Sequence, residues 1–145
     1  MFKHILVPTD GSALSASAVD KALTLARDVK ARVTVMTAVE PFHVLTTTAA
    51  SLSDTRESYA KHAKAEAQRV LGEAQKKAQA LGVSCNTIQV EADQPFKAII
   101  EAAGKNDCDL IAMASHGRRG MAALVIGSET TKVLTHSAIP VLVYR

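Results

Sequence analysis

The chain has no tryptophan, three phenylalanines and two tyrosines, so aromatics make up 3% of its 145 residues. Its core must therefore be built from Val, Ile, Leu and Ala. The scarcity also argues against a single-strand nucleic-acid binder, which interleaves basic residues with stacking aromatics. No stretch does so, and the net charge is only +3. Of the two cysteines, Cys85 and Cys108, neither belongs to a C-x-x-C pair. Both fall in predicted strands as small buried hydrophobes, in keeping with a reducing compartment. The length is enough to bury a core without a disulfide or metal staple. No block of like charge forms a tail. The opening "MFKHILVPTDGS" has too short an apolar run for a signal peptide or membrane span. These absences together lead to the expectation of a soluble cytoplasmic protein, one domain over residues 1–145, with no nucleic-acid partner.

What is present is alternation. His4–Pro8 is a short apolar run suited to a strand covered on both faces. Ser12 can cap a helix whose apolar face is Val19, Ala22, Leu23, Ala26 and Val29. Residues 31–39 are rich in β-branched side chains and predict strand two. Pro41–Asp54 has no period and predicts a mobile loop. Tyr59, Ala63, Ala67, Val70, Ala74, Ala78 and Leu81 then form one helical stripe, ended by Gly82. Strand three is expected over 84–90. The next helix opens near Pro95, buries Phe96, Ile99, Ile100 and Ala103, and stops at Gly104. Strand four is expected over 109–114, the last helix over 128–137, and strand five from Pro140. The pattern implies an α/β fold: an open, doubly wound, five-stranded parallel sheet of Rossmann-like type, with helices on both faces. No internal repeat or low-complexity tract interrupts it.

Open sheets of this kind bind ligands beyond the carboxyl ends of the strands, where strand order reverses. If the chain winds outward from strand one and restarts on its other side, strands one and four become neighbours, giving the order 3-2-1-4-5. The loops 9–12 and 115–128 then share a crevice. The second loop carries the parts of an anion site. Gly117 and Gly120 permit close backbone approach and positive φ. Gly127-Ser128 opens a helix with donor N–H groups. Arg118 and Arg119 can add charge. Plain turn glycines, a plain N-cap and solvated arginines fit the same residues. There is neither a Walker Gly-Lys-Ser/Thr nor a G-x-G-x-x-G. Ser12, Asp10 and His116 do not make a triad, because Ser12 is accounted for as a cap and nothing orients His116. No residue obviously positions an attacking water, so any hydrolysis of a bound phosphate would be slow. A nucleotidyl transferase would need basic residues after strand one, and "PTDGSALS" has none.

These residues resemble the universal stress protein family. Its ATP-binding members carry G-x2-G-x9-G-[S/T] after strand four. Here Gly117 is followed by "RRGMAALVI" and then Gly127-Ser128. "SHGRRG", the opening "ILVPTDGS" and the closing "IPVLVYR" are also similar to the family, so the resemblance spans Met1 to Arg145. One position departs: the family's first Gly falls on Ala114. Its methyl group is tolerated if φ is negative and costs about 1–2 kcal/mol if φ is positive.

The resemblance implies an adenine-nucleotide-binding regulator of the stress response that is not a turnover enzyme. Its cofactor would be ATP, with Mg²⁺ able to bridge the phosphates, and it would have no catalytic residues and no dedicated protein metal site. Pro8, Thr9 and Asp10 would line the adenosine side, with Asp10 on the ribose. The Ala38 backbone would meet adenine, and Met113 and Ala114 would flank the nucleoside. Gly117, Gly127, Ser128 and the Glu129 N–H would hold the phosphates. The resemblance also implies a homodimer paired through Val141–Tyr144. The alternative is a dimeric protein-interaction module that binds no nucleotide. The protein partner in either case is unspecified.

Overall fold

The computed structural model describes residues 1–41, 49–117 and 126–145. Its elements run β1 (His4–Pro8), α1 (Ala13–Val29), β2 (Arg32–Val39), α2 (Ala49–Leu81), β3 (Cys85–Glu91), α3 (Pro95–Lys105), β4 (Leu110–Ala114), α4 (Ser128–His136) and β5 (Val141–Tyr144). The five strands are parallel, in the order β3-β2-β1-β4-β5. Strand order thus reverses between β1 and β4, as the alternation of elements implied.

Strand residues alternate between two cores because successive side chains point to opposite faces. Ile5, Val7, Val33, Val35, Leu110 and Ala112 pack under α1 and α2. Leu6, Met36, Ile111 and Met113 pack under α3 and α4. β1 and β4 sit centrally and are almost wholly buried, whereas β3 at one edge alternates between half-buried and exposed. Small residues on α1 and α2 (Ala18, Ala22, Ala26, Ala74, Ala78) let these helices lie close to the sheet without aromatic filler.

Ser12 caps α1 as expected, its side chain accepting from the Ser15 N–H at 3.2 Å. Gly82 takes φ +70, the left-handed turn assigned to it. Four expectations change. α2 begins at Ala49, so residues 49–54 are helical rather than loop; extending an existing helix through Ala, Ser and Leu adds one hydrogen bond per residue fixed. The rest of that expected loop, 42–48, lies outside the described residues. α3 runs through Gly104 and ends where the Asn106 side chain donates to the Ala102 carbonyl at 2.8 Å and Asp107 adopts φ +52. Its buried face is Ala98, Ile99, Ala102 and Ala103, with Phe96 and Ile100 only half-buried. Cys108 lies before β4 rather than in it, and burial pushes its thiol up to about 11, so it stays protonated and inert.

At the amino end of the sheet His4 is 4% exposed. Its Nε2 pairs with Thr34 Oγ1 at 2.8 Å, while its Nδ1 has no partner among the described residues. Burial, with the nearby Arg32 charge, holds its pKa below the ordinary 6.5, against weaker opposition from the Asn106 backbone, Asp109 and Asp107. The unfolded chain therefore binds the proton more readily. Stability is complete above pH 6.5 and falls as pH drops from there toward the lowered folded value, by up to about 1.4 kcal/mol per pH unit. Thermal melts at pH 7.5 and 5.5 should show this loss, and His4→Gln should reduce it. An unchanged pH dependence in the variant would remove His4 as its source.

Candidate functional site

The crevice lies where β1 and β4 release the chain. The ladder continues one residue past β1, where the Thr9 N–H donates to the Met36 carbonyl at 2.8 Å. Asp10 follows, and its Oδ1 accepts from the Ser12 N–H at 2.9 Å, closing an Asx turn into α1. Gly11 inside that turn has φ +79, a conformation in which glycine avoids the Cβ clash.

On the other side, the Ser115 N–H donates to the Tyr144 carbonyl at 2.7 Å, so β5 fixes the exit of β4. The start of α4 is tied to the same exit. The Gly127 N–H donates to the Ser115 carbonyl at 2.8 Å, and Thr130 Oγ1 donates to the Ala114 carbonyl at 3.0 Å. Gly127, not Ser128, is the N-cap, and Ser128 is the first helical residue. The leading N–H groups of α4 thus open onto the crevice with the positive end of the helix dipole.

Pro8, Thr9, Asp10, Ala38, Met113, Ala114, Gly117, Gly127, Ser128 and Glu129 all line one cleft of about 650 Å³. They come from the ends of β1, β2 and β4 and from the first turn of α4. Glu129 turns its carboxylate away: Oε2 accepts from the Phe96 N–H at 3.0 Å and Oε1 from Lys132 Nζ at 3.2 Å. Its side chain joins the starts of α3 and α4. Arg118, Arg119 and Gly120 lie outside the described residues.

One expectation for the glycines changes at Gly117. Gly117 has no positive φ. A Cβ there would stand 2.5 Å from Asp10 Oδ2, so the absence of a side chain leaves room for that carboxylate. At Gly127 a Cβ would meet the Ser115 carbonyl oxygen at 3.1 Å and His116 Cα at 3.5 Å. Glycine at 127 lets α4 pack tightly on the exit of β4.

Ala114 ends β4 in extended backbone, without positive φ. Its methyl group therefore carries no left-handed strain, which removes the penalty that a positive φ would have brought. For the nucleotide that the resemblance implies, Ala114→Gly is accordingly expected to leave the affinity within about twofold, read by calorimetry. A tenfold gain would mean that the methyl obstructs the ligand sterically.

The sequence reading missed two walls, one of them the start of α3 at Pro95 and Ile99. Tyr59, Ala63, Glu66, Ala67 and Val70 of α2 also line the cleft. Tyr59 is 39% exposed and its hydroxyl donates to the Glu40 carbonyl at 3.0 Å, joining α2 to the end of β2. The stripe from Tyr59 to Leu81 carried the signal. Its second half packs on the sheet and its first half overhangs the site. Ser15, on the first turn of α1, was also missed.

His116 is 8% exposed, and its Nδ1 pairs with Ser115 Oγ at 2.8 Å. Among the described residues no three His, Cys, Asp or Glu side chains stand together as a metal site. Among them, too, no helix is long and apolar enough to cross a membrane.

The model of the universal stress protein family matches residues 1–145. The chain belongs to that family. It is 31% identical over 147 residues to a universal stress protein of Methanocaldococcus jannaschii, covering all of this chain and 83% of the relative. It is 30% identical over 149 residues to the universal stress protein YxiE of Bacillus subtilis, covering the whole of both. Among solved structures, a universal stress protein in complex with cAMP superposes with a TM-score of 0.71 at 28% identity, over 99% of this chain and 97% of that one. The parallel 3-2-1-4-5 sheet is thus the universal stress protein fold, and a member of the family that shares it holds an adenine nucleotide.

Proposed function

We propose that this universal stress protein is a regulatory protein that binds ATP, with Mg²⁺ on the phosphates, in the cleft between β1 and β4. One observation carries the reading: residues from four separate segments, anticipated as a nucleotide site, line a single cleft at the point where strand order reverses. Asp10 supplies an acceptor for ribose hydroxyls. The main-chain N–H groups at Ser128 and Glu129 supply donors for phosphate. Glu129 offers its backbone here because its carboxylate is engaged at Phe96 and Lys132. The cAMP complex of a relative supports an adenine nucleotide as the ligand class.

The protein works as a cytoplasmic homodimer. β5 is an edge strand with half-buried apolar side chains, and pairing with a second β5 would cover it. The deciding experiment is calorimetric titration of nucleotide-stripped protein with ATP and Mg²⁺. One saturable micromolar site per chain is the expected result. No heat with ATP, ADP, AMP or cAMP would leave the protein-interaction module as the function.

A further inference from the structure

We propose that Ser15 is a positioning residue that sets the ribose selectivity of the cleft by locking the Asp10 carboxylate. The inference rests on the nucleotide reading above and adds the residue on which its sugar recognition depends. Ser15 is 4% exposed, on the first turn of α1. Its hydroxyl lies 2.8 Å from Asp10 Oδ1, 3.0 Å from Thr9 Oγ1, 3.1 Å from Ser12 Oγ and 3.1 Å from the Ser12 carbonyl.

A hydroxyl has one proton and two lone pairs, so these contacts cannot all be donations. The carboxylate is the strongest acceptor among them and takes the proton. Ser15 then accepts from Thr9 Oγ–H and Ser12 Oγ–H, and hydrogen bonding runs one way, from both hydroxyls through Ser15 to Asp10. Asp10 Oδ1 receives a second donor from the Ser12 N–H at 2.9 Å. Two donors on one oxygen fix the plane of the carboxylate and direct Oδ2 toward Gly117, whose missing side chain leaves it room. Ribose 2′ and 3′ hydroxyls are donors, and an acceptor with preset orientation binds them without a further ordering cost.

The test compares ATP with 2′,3′-dideoxy-ATP on the parent, Ser15→Ala and Asp10→Ala, each full length and with Mg²⁺. The readout is the ratio of the two affinities within each protein, which cancels any difference in folded fraction. The parent should prefer ATP, and Asp10→Ala should bring the ratio to near one. Ser15→Ala should lower the ratio about three- to ten-fold, chiefly by weakening ATP, although it leaves Asp10 in place. A parental ratio preserved in Ser15→Ala would overturn the proposal while leaving nucleotide binding intact. So would a parent that binds both nucleotides equally. A parent that binds neither would overturn the nucleotide reading itself, and this inference with it.

Discussion

Replacing Gly127 by valine is expected to abolish the proposed nucleotide binding and to destabilise the protein in the same step. The new Cβ would press on the Ser115 carbonyl oxygen at 3.1 Å, a backbone atom, with His116 Cα in ordinary contact at 3.5 Å. The Gly127 N–H is bonded to that same carbonyl at 2.8 Å, so α4 cannot shift outward without losing the bond. Overpacking of this kind costs about 1–3 kcal/mol, to be read as a fall of several degrees in Tm. The first turn of α4 would move with it, displacing the N–H groups assigned to phosphate. Ser128→Ala is the control: it removes only a hydroxyl on the first helical residue and should keep the parental Tm. A Gly127→Val protein with the parental Tm would disprove the packing role, and parental ATP affinity would disprove the phosphate assignment.

Val143→Pro is expected to convert the proposed homodimer to monomer. The Pro140 and Tyr144 carbonyls accept from the Ile111 and Ser115 N–H groups of β4, at 3.0 and 2.7 Å. Strand groups alternate in direction, so Val143 turns its N–H away from β4, toward the outer edge. Proline there deletes a donor of the proposed interface and leaves the β4–β5 ladder in place. Two-fold symmetry counts the loss twice. Light scattering should show the mass halved, with the circular dichroism spectrum unchanged. A dimer that survives would move the interface away from β5.

Much of this structure is legible along the chain because its determinants are local. The run "HILVP" reads as β1 and Ser12 as the cap of α1, since buried strands and caps depend on residues a few positions apart. The end of α3 was less legible. Gly104 resembles a stop, but the helix runs one residue further, to Lys105, where Asn106 and Asp107 close it. Tyr59 carried an ambiguous signal: an apolar residue at helical spacing looks the same whether it covers a sheet or overhangs a cleft.

The sequence by itself determined the alternation of strands and helices, the membership of two loops in one crevice, and the residue types that could meet a nucleotide there. Those properties follow from periodicity, capping and the handedness of crossovers, all written in neighbouring residues. Only the tertiary structure decided what the missing side chains at Gly117 and Gly127 leave room for. Gly117 makes room for Asp10, 107 residues away in the chain, and Gly127 for the backbone at Ser115 and His116. It also decided that Ala114 is unstrained, that Glu129 turns its carboxylate to α3, and that Ser15 holds Asp10. Each of these depends on the approach of groups distant in sequence, and such distances exist only once the sheet has closed β1 against β4.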